Sequence, residues 1–221
     1  MTAIPLERGL AQAIALYNGG RKADAHALCR ALLERDPAHP AVHQLMAVLC
    51  MDSGDPQRAA EHIEHSLAAR PGHGPSMRIG AQAWYEAGCL RRERGDAAGA
   101  RQAWRAALAL QAELAPAWFA LSLVCEDLGE FDEARAALER LLALQPDHPQ
   151  ALVNLALLLQ RSGDVDAAMD RYANAYRLQP ETLGRIANAL SAQSCGRIWL
   201  RLDDLKRELE RRAPVSPAPR A

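Results

Sequence analysis

The chain has 221 residues, 49% of them hydrophobic, and a formal net charge of -1. This composition excludes a protein that is disordered over most of its length. Because acidic and basic residues are interleaved, we expect neither nucleic acid nor a membrane as a partner.

Three further features bear on where the protein works. The first twenty residues have no basic segment followed by an uninterrupted apolar core, so we expect no secretory signal. No run of 18 apolar residues predicts a membrane span. The five cysteines are an odd number without close pairs, which argues against a disulfide framework and a zinc ribbon. We therefore expect a cytoplasmic protein with buried thiols.

Five segments of the chain begin alike. A glycine is followed five positions later by an alanine in the segments that start at Gly20, Gly54, Gly95, Gly129 and Gly163. The glycines are 34, 41, 34 and 34 residues apart. In the same phase, Ala112 stands in the third unit and the other units carry Pro37, Pro71, Pro146 and Pro180. Such a fixed period predicts a solenoid of stacked units.

Each unit reads as a pair of helices, most clearly in the fourth. The segment AWFALSLVCEDL has apolar residues at helical spacing, and Gly129 ends this helix as a C-terminal glycine does. The segment FDEARAALERLLALQ predicts a second helix, which Pro146 ends. We expect the recurring alanine where the two antiparallel helices come closest, since a larger side chain would separate them. The predicted fold class is all-α.

The predicted repeats, in chain order, are residues 6–39, 40–73, 81–114, 115–148 and 149–182. Capping helices are expected over residues 183–212, with Asp203 as the N-cap of the last one and Leu205 and Leu209 on its apolar side. A disordered tail is expected at 213–221. We expect the end of the array to be sealed by Ile198, Trp199, Leu200 and Leu202.

The longer spacing of 41 comes from seven extra residues, GPSMRIG, at positions 74–80. Seven residues are close to two helical turns, so they rotate a helix face by only about 20°. With Gly74 as the cap and Pro75 at the first position, we predict a helix that runs to Arg94. This helix should be about two turns longer than its equivalents and project from the array. A loop broken at Gly80 is the alternative.

The period and its landmarks resemble the tetratricopeptide repeat, whose pattern places Trp, Leu-Gly, Tyr, Ala, Phe and Pro at set positions. In the fourth unit the matching residues are Trp118, Leu121, Ser122, Cys125, Ala134, Leu138 and Pro146. In the third unit they are Trp84, Gly88, Ala100 and Trp104. In the fifth they are Leu152, Leu155, Ala156, Leu159, Ala168, Tyr172 and Pro180. The first two units depart from the pattern at Gly9 and His43.

This resemblance covers about residues 6–182 and implies a right-handed superhelical α-solenoid. In this family the first helix of each pair lines a concave surface that takes the partner. Carried over, the positions on that surface are Leu10, Ile14, Tyr17, Gln44, Val48, Met51, Tyr85, Cys89, Arg92, Phe119, Leu123, Glu126, Val153, Leu157 and Arg161. Most of them are apolar, which suits an amphipathic helix or an extended apolar peptide.

One known mode of partner binding is disfavoured. Co-chaperone members of the family clamp an acidic chain end with lysines and asparagines on these positions. Where that clamp has asparagine, this chain has Ile14, Val48, Cys89, Leu123 and Leu157. Its two lysines, Lys22 and Lys206, are not in the set.

No catalytic constellation stands out. The chain has no GxSxG, no phosphate-binding glycine loop and no HExxH. His62 and His65 are three residues apart on a predicted helix and could share a metal, but we interpret them as solvated surface histidines. We therefore expect no enzyme, no cofactor and no metal.

The leading hypothesis is a non-catalytic adaptor that binds a protein or peptide partner, of unknown identity, in the apolar groove. Three alternatives stay open from the sequence. The chain could be an accessory subunit of a separate glycosyl- or sulfotransferase, or a self-assembling homo-oligomer. The groove could also be filled by the chain's own first or last helix.

Overall fold

The computed structural model describes residues 5–192 and 201–213. Within these two ranges every regular element is helical, so the all-α class is confirmed. The α-helices are α1 (Leu6–Asn18), α2 (Lys22–Arg35), α3 (Pro40–Asp52), α4 (Pro56–Ala69), α5 (Gly74–Glu93), α6 (Ala97–Leu110), α7 (Ala115–Asp127), α8 (Phe131–Leu144), α9 (Pro149–Arg161), α10 (Val165–Leu178), α11 (Leu183–Ala192) and α12 (Leu202–Arg212). A 3₁₀ turn at Pro180–Thr182 precedes α11. We call α1, α3, α5, α7 and α9 the first helices, and α2, α4, α6, α8 and α10 the second helices.

The repeated glycines end the first helices by one mechanism. Gly129 has a φ of 77°, a region that favours glycine. The N–H of Gly129 donates to the carbonyl of Glu126 at 3.0 Å, and the N–H of Glu130 donates to the carbonyl of Cys125 at 2.8 Å. These two bonds satisfy the last carbonyls of α7 in a Schellman arrangement. A positive φ recurs at Gly20, Gly54, Gly95 and Gly163, so the predicted helix ends are confirmed.

The repeated alanines lie on the second helices and have no exposed surface. They are Ala25, Ala59, Ala100, Ala134 and Ala168. The helices α1 and α2, α3 and α4, α5 and α6, and α9 and α10 pack against each other as pairs. A methyl group at these positions lets two helix backbones approach closely. The predicted burial of this alanine is confirmed in all five units.

The chain forms two compact units, residues 1–117 and 118–221, with the boundary inside α7. In the first unit, Leu32 and Met46 belong to one apolar cluster and Ile63 to another. In the second unit, the fully buried side chains include Leu138 and Tyr172. Each unit therefore has a core of its own.

The seven extra residues lengthen α5, as predicted, but do not project. The helix has 20 residues, whereas α1, α3, α7 and α9 have 13 each. The hydroxyl of Ser76 lies 3.1 Å from that of Ser66 on α4, and both side chains are buried. A Cβ at Gly80 would lie only 2.7 Å from Cγ2 of Ile63 on α4. The prediction of a projecting segment is therefore wrong, because small residues let the extra turns pack on α4.

The helix α12 packs against α10 and α11. Its apolar side is buried at Leu205 and Leu209, as the sequence predicts. At its end, the guanidinium of Arg212 lies 3.0 Å from a carboxylate oxygen of Asp166 and 3.0 Å from one of Asp170, both on α10. The described C-terminal helix is therefore docked on a second helix.

Two expectations for this end are wrong, and others are outside the described residues. The helix α12 begins at Leu202 after Arg201, so Asp203 lies in its first turn and is not its N-cap. Leu202 is 54% exposed and does not seal the array. Residues 193–200, with Ile198, Trp199 and Leu200, and the tail at 214–221 lie outside the described residues.

Candidate functional site

The first unit presents one face of its first helices. The helices α1, α3 and α5 lie side by side. On each of them the predicted groove positions are spaced i, i+4 and i+7, which places them on a single helix face. Ile14 is 43% exposed and Arg92 is also exposed. The side chains that are partly buried on this face are Leu10, Tyr17, Gln44, Val48, Met51, Tyr85 and Cys89.

A polar group links the ends of three helices beside this face. The hydroxyl of Tyr17 hydrogen-bonds the carboxylate of Asp52, whose Oδ2 lies 2.8 Å from the Nζ of Lys22. Lys22 and then Tyr17 lower the pKa of Asp52, while burial and the bond to Asp52 raise that of Tyr17. The Tyr17 hydroxyl is thus bonded to α3, and the Tyr17 side chain is partly buried on the face.

Tyr85 is positioned by the packing of α5 on α6. Its backbone carbonyl accepts a hydrogen bond from Nε1 of Trp104 at 3.1 Å, and Trp104 is 1% exposed. Burial, followed by the neighbouring Cys89, raises the pKa of the Tyr85 hydroxyl. The ring therefore has a rigid backbone support and a partly exposed side chain, as a binding anchor requires.

The second unit presents the corresponding face of α7 and α9. Phe119, Leu123, Glu126 and Leu157 are partly buried there and Arg161 is exposed. The ring centroids of Phe119 and His148 lie 5.1 Å apart. Val153 is 1% exposed, so this predicted groove residue offers no surface to a partner and belongs to the core of its helix pair.

An aromatic residue beside this face was missed by sequence reasoning. The guanidinium carbon of Arg161 lies 3.9 Å from the ring centroid of Phe131, the first residue of α8, whose side chain is exposed. This is a cation–π contact. The signal was a large apolar residue two positions after the turn glycine Gly129, where the repeat pattern places no core position.

Glu126, on the second face, lies where its ionised form is disfavoured. Burial, followed by repulsion from Asp127, raises its pKa, while the nearby Arg161 opposes the shift. Its buried Oε1 has no hydrogen-bond partner in the structure. A buried acceptor without a partner costs about 1–3 kcal/mol. This oxygen is therefore ready to accept a bond from a bound group.

The interpretation of His62 as a solvated histidine is wrong. It is partly buried, and its Nδ1 lies 3.0 Å from Nδ1 of His43 on α3, which is 5% exposed. His65 is exposed, but its ring stacks on that of His43 with centroids 4.8 Å apart. The signal in the sequence was His43 itself, which stands where the repeat pattern places a large buried side chain.

A second group of possible metal ligands lies in the second unit. Donor atoms of Cys125, Glu130 and Glu133 come within 4.8 Å of one another. All three residues already have other interaction partners.

In the parts of the chain that the structure describes, no helix is both long enough and apolar enough to cross a bilayer.

The fold is similar to that of several solved repeat proteins. MamA is matched at 21% identity with a TM-score of 0.53, over 81% of this chain and 94% of that chain. MamA of Desulfovibrio magneticus RS-1 is matched at 17% identity with a TM-score of 0.50, over 82% and 98%. YrrB, described as a TPR protein with an unusual peptide-binding site, is matched at 18% identity with a TM-score of 0.53, over 84% and 90%. At these identities the likeness shows the fold alone.

Sequence comparison assigns the family. The TPR repeat-containing protein PA0015 of Pseudomonas aeruginosa is 39% identical over 62 residues, which are 28% of this chain and 52% of the relative. The chain thus spans about half the length of this curated relative. Sequence profiles of the tetratricopeptide repeat match residues 16–85 and, in two further copies, residues 85–137 and 126–181. The chain belongs to the tetratricopeptide repeat family, whose members are generally non-catalytic protein-interaction modules.

Proposed function

We propose that the protein is a non-catalytic adaptor that binds a peptide or helix of a partner protein on the apolar faces of its first helices. The observation that carries the proposal is a set of partly exposed apolar side chains on these faces, among which Ile14 is 43% exposed. Contiguous apolar surface is rare on soluble proteins unless a partner covers it. The fold similarity to YrrB, a protein described as binding peptide, supports the same reading.

The two faces suit a partner segment that is mostly apolar. In the first unit, Tyr85 and Ile14 supply an aromatic and an aliphatic anchor with partly exposed side chains. In the second unit, Phe119 has the same role beside His148. Aromatic anchors held in place by packing contribute most of the affinity in such interfaces.

The second face adds polar specificity. Glu126 has a buried oxygen without a hydrogen-bond partner, and Arg161 is exposed at the end of α9. A partner group that donates an N–H to Glu126 would remove the cost of that unsatisfied oxygen. We therefore infer a partner segment that carries at least one N–H donor among its apolar residues.

The position of the last described helix supports an accessible face. The helix α12 packs on α10 and α11, and α10 is a second helix. Two apolar residues of α12, Leu205 and Leu209, are already buried in that contact. Because α12 is already packed on α10 and α11, we infer that the face of α9 takes a segment of an external partner and not α12.

The experiment compares partner capture by matched variants of the full chain. Tyr85→Ala and Phe119→Glu should each reduce capture of the partner by at least tenfold, with helicity unchanged by circular dichroism. Leu144→Glu is the control, because Leu144 is an exposed apolar residue on a second helix. Equal capture by all three variants would overturn the proposal.

The same measurement separates the alternatives. A captured partner is identified by mass spectrometry, and a synthetic peptide from it is then titrated into the purified chain. A captured transferase would favour the accessory-subunit alternative. A captured second copy, with a mass in solution that rises with concentration, would favour self-assembly.

A further inference from the structure

A pair of histidines joins the two helices of the second repeat. His43 lies on α3 and His62 on α4, and their Nδ1 atoms are 3.0 Å apart. The Nε2 of His43 lies 2.8 Å from the backbone carbonyl of Pro37, in the connection between α2 and α3. The ring of His65 stacks on the ring of His43, with the two ring centroids 4.8 Å apart. Both ring nitrogens of His43 are therefore fixed by hydrogen bonds, one to His62 and one to Pro37.

The carbonyl bond decides which nitrogen of His43 carries the proton. A carbonyl oxygen only accepts, so the Nε2 of His43 donates its N–H to Pro37. The Nδ1 of the neutral His43 ring then has a free lone pair, and His62 donates its own Nδ1–H to it. An imidazole whose outer nitrogen donates to a backbone carbonyl is the usual arrangement of a metal-ligating histidine.

We propose that His43 and His62 bind a divalent transition metal ion of the Zn²⁺, Ni²⁺ or Cu²⁺ class through their Nδ1 atoms. A metal–nitrogen bond of about 2.0–2.1 Å, with an angle of about 90–110° at the ion, places two such nitrogens about 2.9–3.4 Å apart. The observed 3.0 Å lies in this range. On binding, the proton of His62 moves from Nδ1 to Nε2, so both lone pairs turn toward the ion and no proton is lost.

The surroundings favour neutral imidazoles at neutral pH. His43 is 5% exposed and His62 is partly buried, and burial disfavours the charged form of each ring. Only the neutral ring has a lone pair for a metal. Imidazole ligands select Zn²⁺, Ni²⁺ and Cu²⁺ over Mg²⁺ and Ca²⁺, which prefer oxygen.

An open cavity beside His62 has room for the remaining ligands. Its volume is about 560 Å³. Its wall carries two arginines and two glutamates, which are Arg30, Arg58, Glu34 and Glu61. Because these four charges cancel, they do not repel a cation. Water molecules in this cavity complete the coordination shell, because the pair supplies only two protein donors.

The test uses the full chain, stripped of metal with a chelator and titrated with ZnCl₂ and NiCl₂ by calorimetry at pH 7.5. The wild-type chain should bind one ion per chain, and the ion should raise the melting temperature. His62→Gln should weaken this binding at least tenfold, as should His43→Gln. Because His62 is only partly buried, His62→Gln is expected to fold, and circular dichroism verifies it.

His65→Gln is the matched control. His65 lies on the same helix, three residues after His62, and is exposed. Its replacement should change the affinity by less than threefold. The proposal is overturned if the wild-type chain shows no saturable binding, if all three variants bind equally, or if His65→Gln loses binding as His62→Gln does. None of these results bears on the partner-binding faces.

Discussion

Gly88 on α5 provides a sharp test of how the third helix pair is packed. A Cβ built at this glycine would lie 2.4 Å from Nε1 and 2.7 Å from Cδ1 of Trp104 on α6. Trp104 has no room to move away, because it is buried and its Nε1 donates a hydrogen bond to the Tyr85 carbonyl at 3.1 Å. We therefore predict that Gly88→Ala destabilises the first unit.

Two effects of opposite sign decide the magnitude. Alanine is favoured over glycine in a helix by about 1 kcal/mol. Overpacking a filled core costs about 1–3 kcal/mol, and loss of the Trp104 hydrogen bond costs about 1 kcal/mol more. The clash therefore outweighs the helix propensity, and the expected loss of stability is about 1–3 kcal/mol. Loss of this support should also weaken partner binding at Tyr85.

The assay is urea unfolding followed by far-ultraviolet circular dichroism and tryptophan fluorescence. Gly184→Ala is the control, because Gly184 also lies in a helix but a Cβ there would meet nothing within 4 Å. The control should be unchanged or stabilised by up to about 1 kcal/mol. If Gly88→Ala is as stable as the wild type, the packing argument is refuted.

Four other predictions concern charge and burial. Glu126→Gln should stabilise the second unit by about 1 kcal/mol at pH 7, because the burial that raises the pKa of Glu126 penalises its ionised form. This gain should shrink as the pH falls toward about 4.3, the unfolded value, below which both states are protonated; pH-dependent urea unfolding measures it. Arg212→Ala should weaken the packing of α12 on α10 and cost about 1 kcal/mol at low salt, less at 1 M NaCl. Arg211 and then Arg212 lower the pKa of Glu208 to about 2. The stabilising contribution of the Glu208 carboxylate should therefore be present above about pH 4.3 and be lost as the pH falls toward 2. Glu208→Gln should remove this dependence of the unfolding free energy on pH. Cys29 is buried with its pKa raised to about 11, so alkylation followed by peptide mass mapping should label the partly exposed Cys89 first and Cys29 only on unfolding.

The sequence was sufficient to predict the helix pairs. The glycine at the end of each first helix adopts a positive φ, and the alanine on each second helix is buried, as at Gly129 and Ala134. The extra length of α5 was also predictable, because Pro75 is suited to a helix start and seven residues add two turns. These features depend on backbone preferences within a few residues, and a fixed period repeats them.

The site was predictable only in part. The resemblance to the tetratricopeptide repeat placed Ile14 and Tyr85 on the faces of first helices, but it placed Val153 there too, and that side chain is buried. A position in the repeat does not tell whether a face residue is covered by another helix.

The sequence by itself determined which segments are helices, where they end and which small residues recur between them, because these properties follow from local backbone energetics. Only the tertiary structure decided that the extra turns of α5 pack on α4, that α12 docks through Arg212, and that His43 meets His62. His43 and His62 are 19 residues apart and on different helices. Such contacts depend on which surfaces meet after folding, and the free energy of burial that selects them is not a property of any single segment.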